Sequence, residues 1–172
     1  MKNLYSAASL LLLLCATFTA AQETVVIDGI QLDVLIAENT GDNPVRVIDS
    51  PDGQYGVFLL TSTVRAAPAD GVVNGGYHSK VGEIYRVVSG TGTFVTNGEL
   101  LDPVVVDEDS MRYSRAGPGE SGALRNAELV PYGPGSIFIV PPGVPHNAGH
   151  AVFTKSVFIV YRFDPERVLP QH

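Results

Sequence analysis

The sequence predicts an all-β protein built as a sandwich or a barrel. Short runs rich in Val, Ile, Phe and Tyr recur along the chain, and Gly, Pro, Asn or Asp bounds each run, as in strands that are separated by turns. No window holds a sustained helical period, and the 172 residues include 18 Gly and 12 Pro. The predicted strands are residues 24–27, 30–36, 55–63, 83–88, 91–96, 136–140 and 155–163.

The first 21 residues have the order of a secretory signal peptide. Lys2 supplies a positive charge, residues 10–16 form a short apolar core, and Ala20 and Ala21 are small, as residues before a cleavage site are. A membrane anchor needs about 20 consecutive apolar residues, and Ser and Thr interrupt this stretch. We therefore expect a secreted protein in which residues 22–172 form one domain.

The composition argues against several classes of function. The only cysteine, Cys15, lies within the expected signal peptide, so we expect neither disulfides nor thiol chemistry in the remaining chain. The formal net charge is -7 at pH 7, and an acidic surface repels phosphate backbones and anionic lipids. Neither a nucleic acid nor a membrane is therefore expected as a partner.

Three connecting segments carry further predictions. Residues 89–92, Ser-Gly-Thr-Gly, predict the turn of a hairpin between two strands. Residues 97–135 form a long, turn-rich excursion, which we expect to be functional or ordered by short strands of its own. Its acidic run 107–109 has two interpretations: a site for calcium or a basic partner, or a solvated loop, which is the more common role of such runs. Residues 164–169 are compatible with one turn of helix.

A first histidine cluster surrounds Gly82. His78 and Glu83 are five residues apart, and this odd spacing would place them on opposite faces of one straight strand. Gly82 allows the chain to turn between them, so that both side chains point into one interior from successive strands. Alternation from Glu83 then turns Tyr85 and Val87 inward as well.

A second cluster ends on His146. The strand 136–140 is followed by a turn that contains Pro141, Pro142 and Pro145, and these prolines limit the freedom of the backbone that delivers His146. In a regular strand, His150 falls on the same face as His146.

These two segments resemble the two motifs of the cupin family. The matching residues are His78, Glu83 and Gly90 in the first motif, and Gly135, Pro141, Gly143 and His146 in the second. The resemblance implies a single cupin-type barrel, which is a double-stranded β-helix or jelly roll.

The sequence also departs from the family pattern. Gly76 stands where the first motif usually has its first histidine, Asp70 replaces the leading glycine, and His150 replaces the asparagine that usually closes the second motif. The family's usual site of three histidines and one glutamate is thereby reduced to three ligands.

The resemblance implies that these ligands are His78, Glu83 and His146 and that they hold one divalent metal ion. Two histidines and a carboxylate with open positions suit Fe(II), and they also suit Mn(II), Zn(II) and Ni(II). The alternative is a buried polar network that is satisfied without a metal.

Cupins include dioxygenases, isomerases, cyclases, lyases and decarboxylases, so the resemblance implies an enzyme that acts on a small organic molecule. By analogy with small secreted cupins, this could be a tailoring step in natural-product biosynthesis. The candidates for acid–base catalysis are Lys80, Tyr85 and His150, although His150 could instead be a fourth ligand and each could be an ordinary barrel residue. The alternative function is a non-catalytic, storage-like module that binds a ligand or a metal.

The apolar run 25–36 predicts how two chains associate. Edge strands of this length are seldom left uncovered, and barrels of this family often pair through one. We therefore expect a homodimer in which this run is exchanged between subunits.

Overall fold

The computed structural model describes residues 24–169, so residues 1–21 with Cys15, and also His172, lie outside the described residues. Most of the described chain is strand, which confirms the predicted all-β class. Two helices are described, α1 (Gly29–Glu38) and α2 (Met111–Ala116). The strands are β1 (Gly41–Ser50), β2 (Gly53–Ser62), β3 (Asn74–His78), β4 (Gly82–Thr96), β5 (Glu99–Val105), β6 (Gly119–Arg125), β7 (Glu128–Tyr132), β8 (Ile137–Val140) and β9 (His146–Asp164).

The described strands join one antiparallel sheet around the two longest, β4 and β9. These two pair from Gly82 opposite Phe163 to Thr96 opposite His146. The other edge of β4 carries β7 and β8, while β9 also pairs with β2, which leads to β1, and with β3, which leads to β6 and β5. Within residues 24–169, neither helix has the length and apolar character needed to cross a membrane.

The main core lies on one face of this sheet and contains the rings of Phe58, Phe94 and Phe158, which are 0–1% exposed. Phe94 stacks on Phe138 with ring centroids 4.1 Å apart. Tyr85 contacts Phe94 and Phe158 edge-on. Tyr85 thus connects the aromatic core to the polar residues described below.

Residues 24–36 do not form the predicted strands, because residues 29–38 are helix α1. Asp28 caps this helix by accepting a hydrogen bond from the Gln31 backbone N–H at 2.9 Å. The helix packs its partly buried apolar residues against a second cluster, on the sheet face opposite the main core. The packed residues are Leu32, Leu35 and Ile36, at helical spacing.

Helix α1 leaves no strand in residues 29–38 that could be exchanged between subunits. The run 25–36 is no edge strand, since α1 already packs against Leu59, Val157 and Ile159 of its own chain. The homodimer itself stays a prediction.

The predicted hairpin at residues 89–92 is also wrong, because β4 runs through it without a turn. Gly90 has a φ of +88°, and the pairing with β9 shifts register on both sides of Ser89. The glycine therefore serves a bulge that bends one long strand, and not a turn between two.

The excursion 97–135 contains β5, α2, β6 and β7. It is therefore ordered largely by short strands of its own, as the sequence analysis expected. The acidic run 107–109 forms the turn before α2, where the Asp107 carboxylate accepts a hydrogen bond from the Asp109 backbone N–H at 3.0 Å. Residues 164–169 contain turns and no helix.

Candidate metal centre

The structure brings together the three ligands expected from the cupin resemblance. His78 ends β3, Glu83 is the second residue of β4, and His146 begins β9. One ligand atom from each lies within 4.8 Å of the other two, and all three residues are buried. Glu83 Oε2 lies 2.9 Å from His146 Nε2 and 3.6 Å from His78 Nε2.

Backbone contacts between the connecting turns hold these strand ends together. The Gly143 N–H, in the proline-rich turn between β8 and β9, donates to the His78 carbonyl at 2.8 Å. Gly143 has a φ of +81°, which favours glycine at this position. Gly76 in β3 pairs directly with His146 in β9. The turn therefore fixes both histidines relative to each other before any ligand arrives.

The hydrogen bonding of His146 determines which ring nitrogen faces the cluster. Its Nδ1 lies 3.0 Å from the Val144 carbonyl oxygen. A carbonyl can only accept, so Nδ1 carries the proton, and in the neutral ring Nε2 presents a lone pair. That lone pair faces the Glu83 carboxylate at 2.9 Å. Two acceptors this close require a cation between them, which is either a proton or a metal ion, so the donor set fits a divalent metal.

The second oxygen of Glu83 is held by Arg162, a residue that sequence reasoning missed. Arg162 Nε donates to Glu83 Oε1 at 2.8 Å, and its Nη2 donates to Asp42 Oδ2 at 2.7 Å. The guanidinium also stacks over the Phe58 ring, 4.1 Å from its centroid. Arg162 therefore orients the carboxylate so that Oε2 faces the histidines.

The buried charges of this pair stabilise each other. Burial works to raise the pKa of Glu83, but the charge of Arg162 and the interactions with His146 and His78 together outweigh it and hold that pKa well below the usual range. Burial likewise opposes the charge of Arg162, yet the carboxylates of Glu83 and Asp42 raise its pKa. Glu83 is therefore ionised at neutral pH, as a metal ligand must be.

His78 supplies a neutral imidazole. Burial lowers its pKa to about 4, against the opposing effect of the Glu83 charge. Its Nδ1 is buried without a hydrogen-bond partner in the described chain. The nitrogen nearest the Glu83 carboxylate is Nε2, 3.6 Å from Oε2, so Nε2 is the atom of this ring that can share a cation with Glu83.

Tyr85 is the one catalytic candidate from the sequence that contacts the ligand group, through Glu83 and His146. Its hydroxyl donates to Glu83 Oε2 at 2.8 Å and lies 3.1 Å from His146 Nε2. Burial, together with the Glu83 charge, raises the pKa of Tyr85 well above its usual value. The hydroxyl therefore stays protonated at neutral pH and acts as a hydrogen-bond donor.

Lys80 and His150 lie apart from this group. The Lys80 ammonium pairs at the surface with Glu166, 2.8 Å away, and its side chain is 41% exposed. His150 is buried on the same face of β9 as His146, as predicted, but lines a separate cavity of about 210 Å³ with Arg65. The structure thus does not bring either residue to the ligands.

Two cavities adjoin the ligand group. The larger, of about 710 Å³, is lined by His146 and Tyr85, and the smaller, of about 260 Å³, is lined by His78 and Tyr85. Arg112 of α2 lines both cavities as well. The ligands therefore lie where a small molecule can reach them.

A sequence signal existed for Arg162 but not for Arg112. Phe158, Val160, Arg162 and Asp164 alternate on the buried side of β9, and a cation inside an apolar alternation indicates a buried pair. Arg112 belongs to a short helix in the excursion, and only the tertiary structure places it beside β3.

No protein-family model matches this sequence, and no curated protein matches it. Among solved structures, a cupin-2 domain-containing protein from Shewanella frigidimarina is 16% identical with a TM-score of 0.39, over 77% of this chain and 90% of that one. A Bacillus halodurans protein is 16% identical with a TM-score of 0.40, over 90% of this chain and 86% of that one. An oxalate oxidase solved with glycolate is 14% identical with a TM-score of 0.36, over 73% and 52%.

Cupins are thus among the solved structures to which this chain is similar. Similarity at this level carries no argument about what the chain binds or does. The proposals below rest on its own residues and contacts.

Proposed function

We propose that this protein is a cupin-type enzyme that holds one divalent metal ion through His78, Glu83 and His146 and acts on a small organic molecule in the adjoining cavity. The observation that carries the proposal is the approach of His146 Nε2 to Glu83 Oε2, 2.9 Å apart, which calls for a cation at this point. The neutral imidazole of His78 completes a set of two nitrogens and one carboxylate oxygen around that point.

The metal would supply a Lewis acid, or a redox centre if it is Fe, Mn or Ni. The chemistry open to such a site covers dioxygenase, cyclase, isomerase and lyase reactions, including a tailoring step in natural-product biosynthesis. The reaction type therefore has to come from turnover experiments.

The surrounding residues have separate tasks. Arg162 positions Glu83 through its bond to Oε1. Tyr85 holds its hydroxyl proton at the wall of both cavities, where it donates to Glu83 Oε2. A substrate oxygen that took this hydrogen bond over from Glu83 would have a donor for its developing negative charge. Secretion, dimerisation and the small-molecule partner remain predictions made from the sequence.

A metal-free binding barrel is the second candidate, and one observation favours it. Glu83 already accepts hydrogen bonds from Arg162 and Tyr85. With a proton in place of the metal between Glu83 and His146, both oxygens of Glu83 are satisfied. In that case the cavity would hold a ligand without turnover.

Melting curves of the chelator-treated protein with added Mn(II), Fe(II), Zn(II) or Ni(II) separate the two candidates. Saturation at a hundredfold excess over Kd adds about 2.7 kcal/mol of stability, which corresponds to a rise of roughly 5–10 °C in Tm for a domain of this size. We expect this rise in the wild type and not in His78→Ala or His146→Ala.

The matched control is His150→Ala, which removes a buried histidine of the same strand outside the ligand group and should keep the rise. If none of the four metals raises the Tm of the wild type, the metal-free barrel is the correct account.

A further inference from the structure

We propose that the substrate of the larger cavity is a small organic carboxylate and that Arg112, assisted by Arg65, binds its anionic group. This inference rests on the proposed function only in taking that cavity as the substrate site. It assigns a substrate class and two binding residues.

The first support is the position of the Arg112 guanidinium. A Cβ added to Gly76 would collide with Arg112 Nη2 and with the Glu120 carbonyl oxygen. Arg112 therefore occupies the space beside β3 that any side chain at position 76 would need. The glycine at position 76 is what lets the guanidinium reach this point.

The second support is that both arginines lack a partner. Within residues 24–169, neither the Arg112 nor the Arg65 side chain forms an ion pair or a hydrogen bond. The buried Arg162, by contrast, is paired with both Glu83 and Asp42. Arg112 and Arg65 are exposed residues whose side chains line the cavity. Partial desolvation still lowers the pKa of Arg112, with Tyr85 and Glu83 acting in the opposite direction, so an anion that pairs with its guanidinium would offset that cost.

The third support is the charge of the cavity wall. Arg65 and Arg112 both line it, and none of the described residues in its wall is Asp or Glu. The chain as a whole has a formal charge of -7, so this wall is a local reversal of sign. Asn74, Ser121 and Asn147 add neutral hydrogen-bonding groups. Such a wall attracts anions and disfavours cations.

The chemistry of the guanidinium selects the ligand class. Its planar fork offers two parallel N–H donors, which match the two oxygens of a carboxylate. Tyr85 and His146 line the same cavity as Arg112. A carboxylate held by Arg112 therefore brings the rest of the molecule against the Tyr85 hydroxyl and the metal ligands.

Calorimetric titration of the full protein tests this, with oxalate, malonate, succinate and glutarate as probes, and with malonamide and inorganic phosphate as comparisons. Each titration is run on chelator-treated and on metal-loaded protein. We expect at least one dicarboxylate to bind in both forms and malonamide to bind in neither. Arg112→Gln should weaken binding by about ten- to a hundredfold, as loss of a charged hydrogen-bonding partner does.

The matched control is Arg86→Gln, which removes the same charge from an exposed position on β4 and should leave the affinity unchanged. Arg112→Lys, which keeps the charge and loses the fork, should bind more weakly than the wild type and more tightly than Arg112→Gln. The Arg112 variants are compared only where their Tm shows that they fold, and Arg65→Gln, expected to weaken binding, provides an independent test.

Three results would overturn the inference. The first is equal dicarboxylate affinity in Arg112→Gln and the wild type, and the second is a loss of affinity in Arg86→Gln as large as in Arg112→Gln. The third is binding of malonamide as tight as that of the dicarboxylates. Tighter Arg112-dependent binding of phosphate than of any carboxylate would overturn the substrate class. Carboxylate binding without any metal binding would contradict the proposed function alone, whereas metal binding without carboxylate binding would contradict this inference alone.

Discussion

At the scale of single residues, the charge states around Glu83 decide what this cluster can hold. Glu83 is ionised because Arg162, together with His146 and His78, offsets the cost of its burial, and burial keeps His78 neutral. A metal site needs its ligands in these deprotonated states. The motifs that resemble those of cupins predicted that His78, Glu83 and His146 lie together, because motif spacing reflects local turns. Arg162 was missed although the alternation of β9 indicated it, and Arg112 was missed because its position depends on contacts between distant parts of the chain.

The pKa of His78 leads to a prediction about acid stability. Its pKa is about 4 in the folded protein and about 6.5 in an unfolded chain. Between these values the unfolded state binds more protons, so the free energy of unfolding is highest above pH 6.5 and falls as the pH drops toward 4. The shift corresponds to at most about 3 kcal/mol.

Urea denaturation of the chelator-treated protein at pH 7, 5.5 and 4 measures this loss. His78→Asn removes the titrating ring and should flatten the dependence in that window. The contribution of Glu83 lies mostly below pH 4.5, because the pKa of a carboxyl that is lowered by folding matters only below its unfolded value. Equal slopes in the two proteins would contradict the burial effect on His78.

At the scale of secondary-structure elements, the sequence predicted the strands that form the core better than it predicted helix α1 and the segments between the core strands. The core strands were found because alternating or continuous apolar runs reflect burial directly. Helix α1 was missed because its apolar residues Leu32, Leu35 and Ile36 also read as part of a strand-like run. The bulge in β4 was read as a turn because glycine with positive φ serves both.

The bulge itself can be tested by Gly90→Ala. Gly90 has a φ of +88°, and a Cβ there would collide with Ser156 of β9. We expect a loss of at least about 1–3 kcal/mol in the free energy of unfolding from backbone strain alone. Gly133→Ala is the matched control, since a Cβ at Gly133 meets nothing within 4 Å and its φ is not in the left-handed region. Equal stability of the two variants in urea would contradict the role given to Gly90.

At the scale of the whole molecule, the candidate metal centre lies where three strand ends meet at the edge of the aromatic core. β3, β4 and β9 each contribute one candidate ligand, and Tyr85 joins Glu83 and His146 to Phe94 and Phe158. The all-β class was predictable from composition and apolar runs, but the order of strands in the sheet was not, because pairing joins residues far apart in sequence. The site could be predicted because its two motifs each include a constrained turn.

The most direct test of this account is elemental analysis of the purified protein after supply of Fe, Mn, Zn and Ni, beside His78→Ala and His146→Ala variants treated alike. The account predicts one divalent metal ion per chain in the wild type and none in either variant, provided that circular dichroism shows all three to be folded. A wild type that holds no metal under any supply, or variants that hold as much as the wild type, would contradict it.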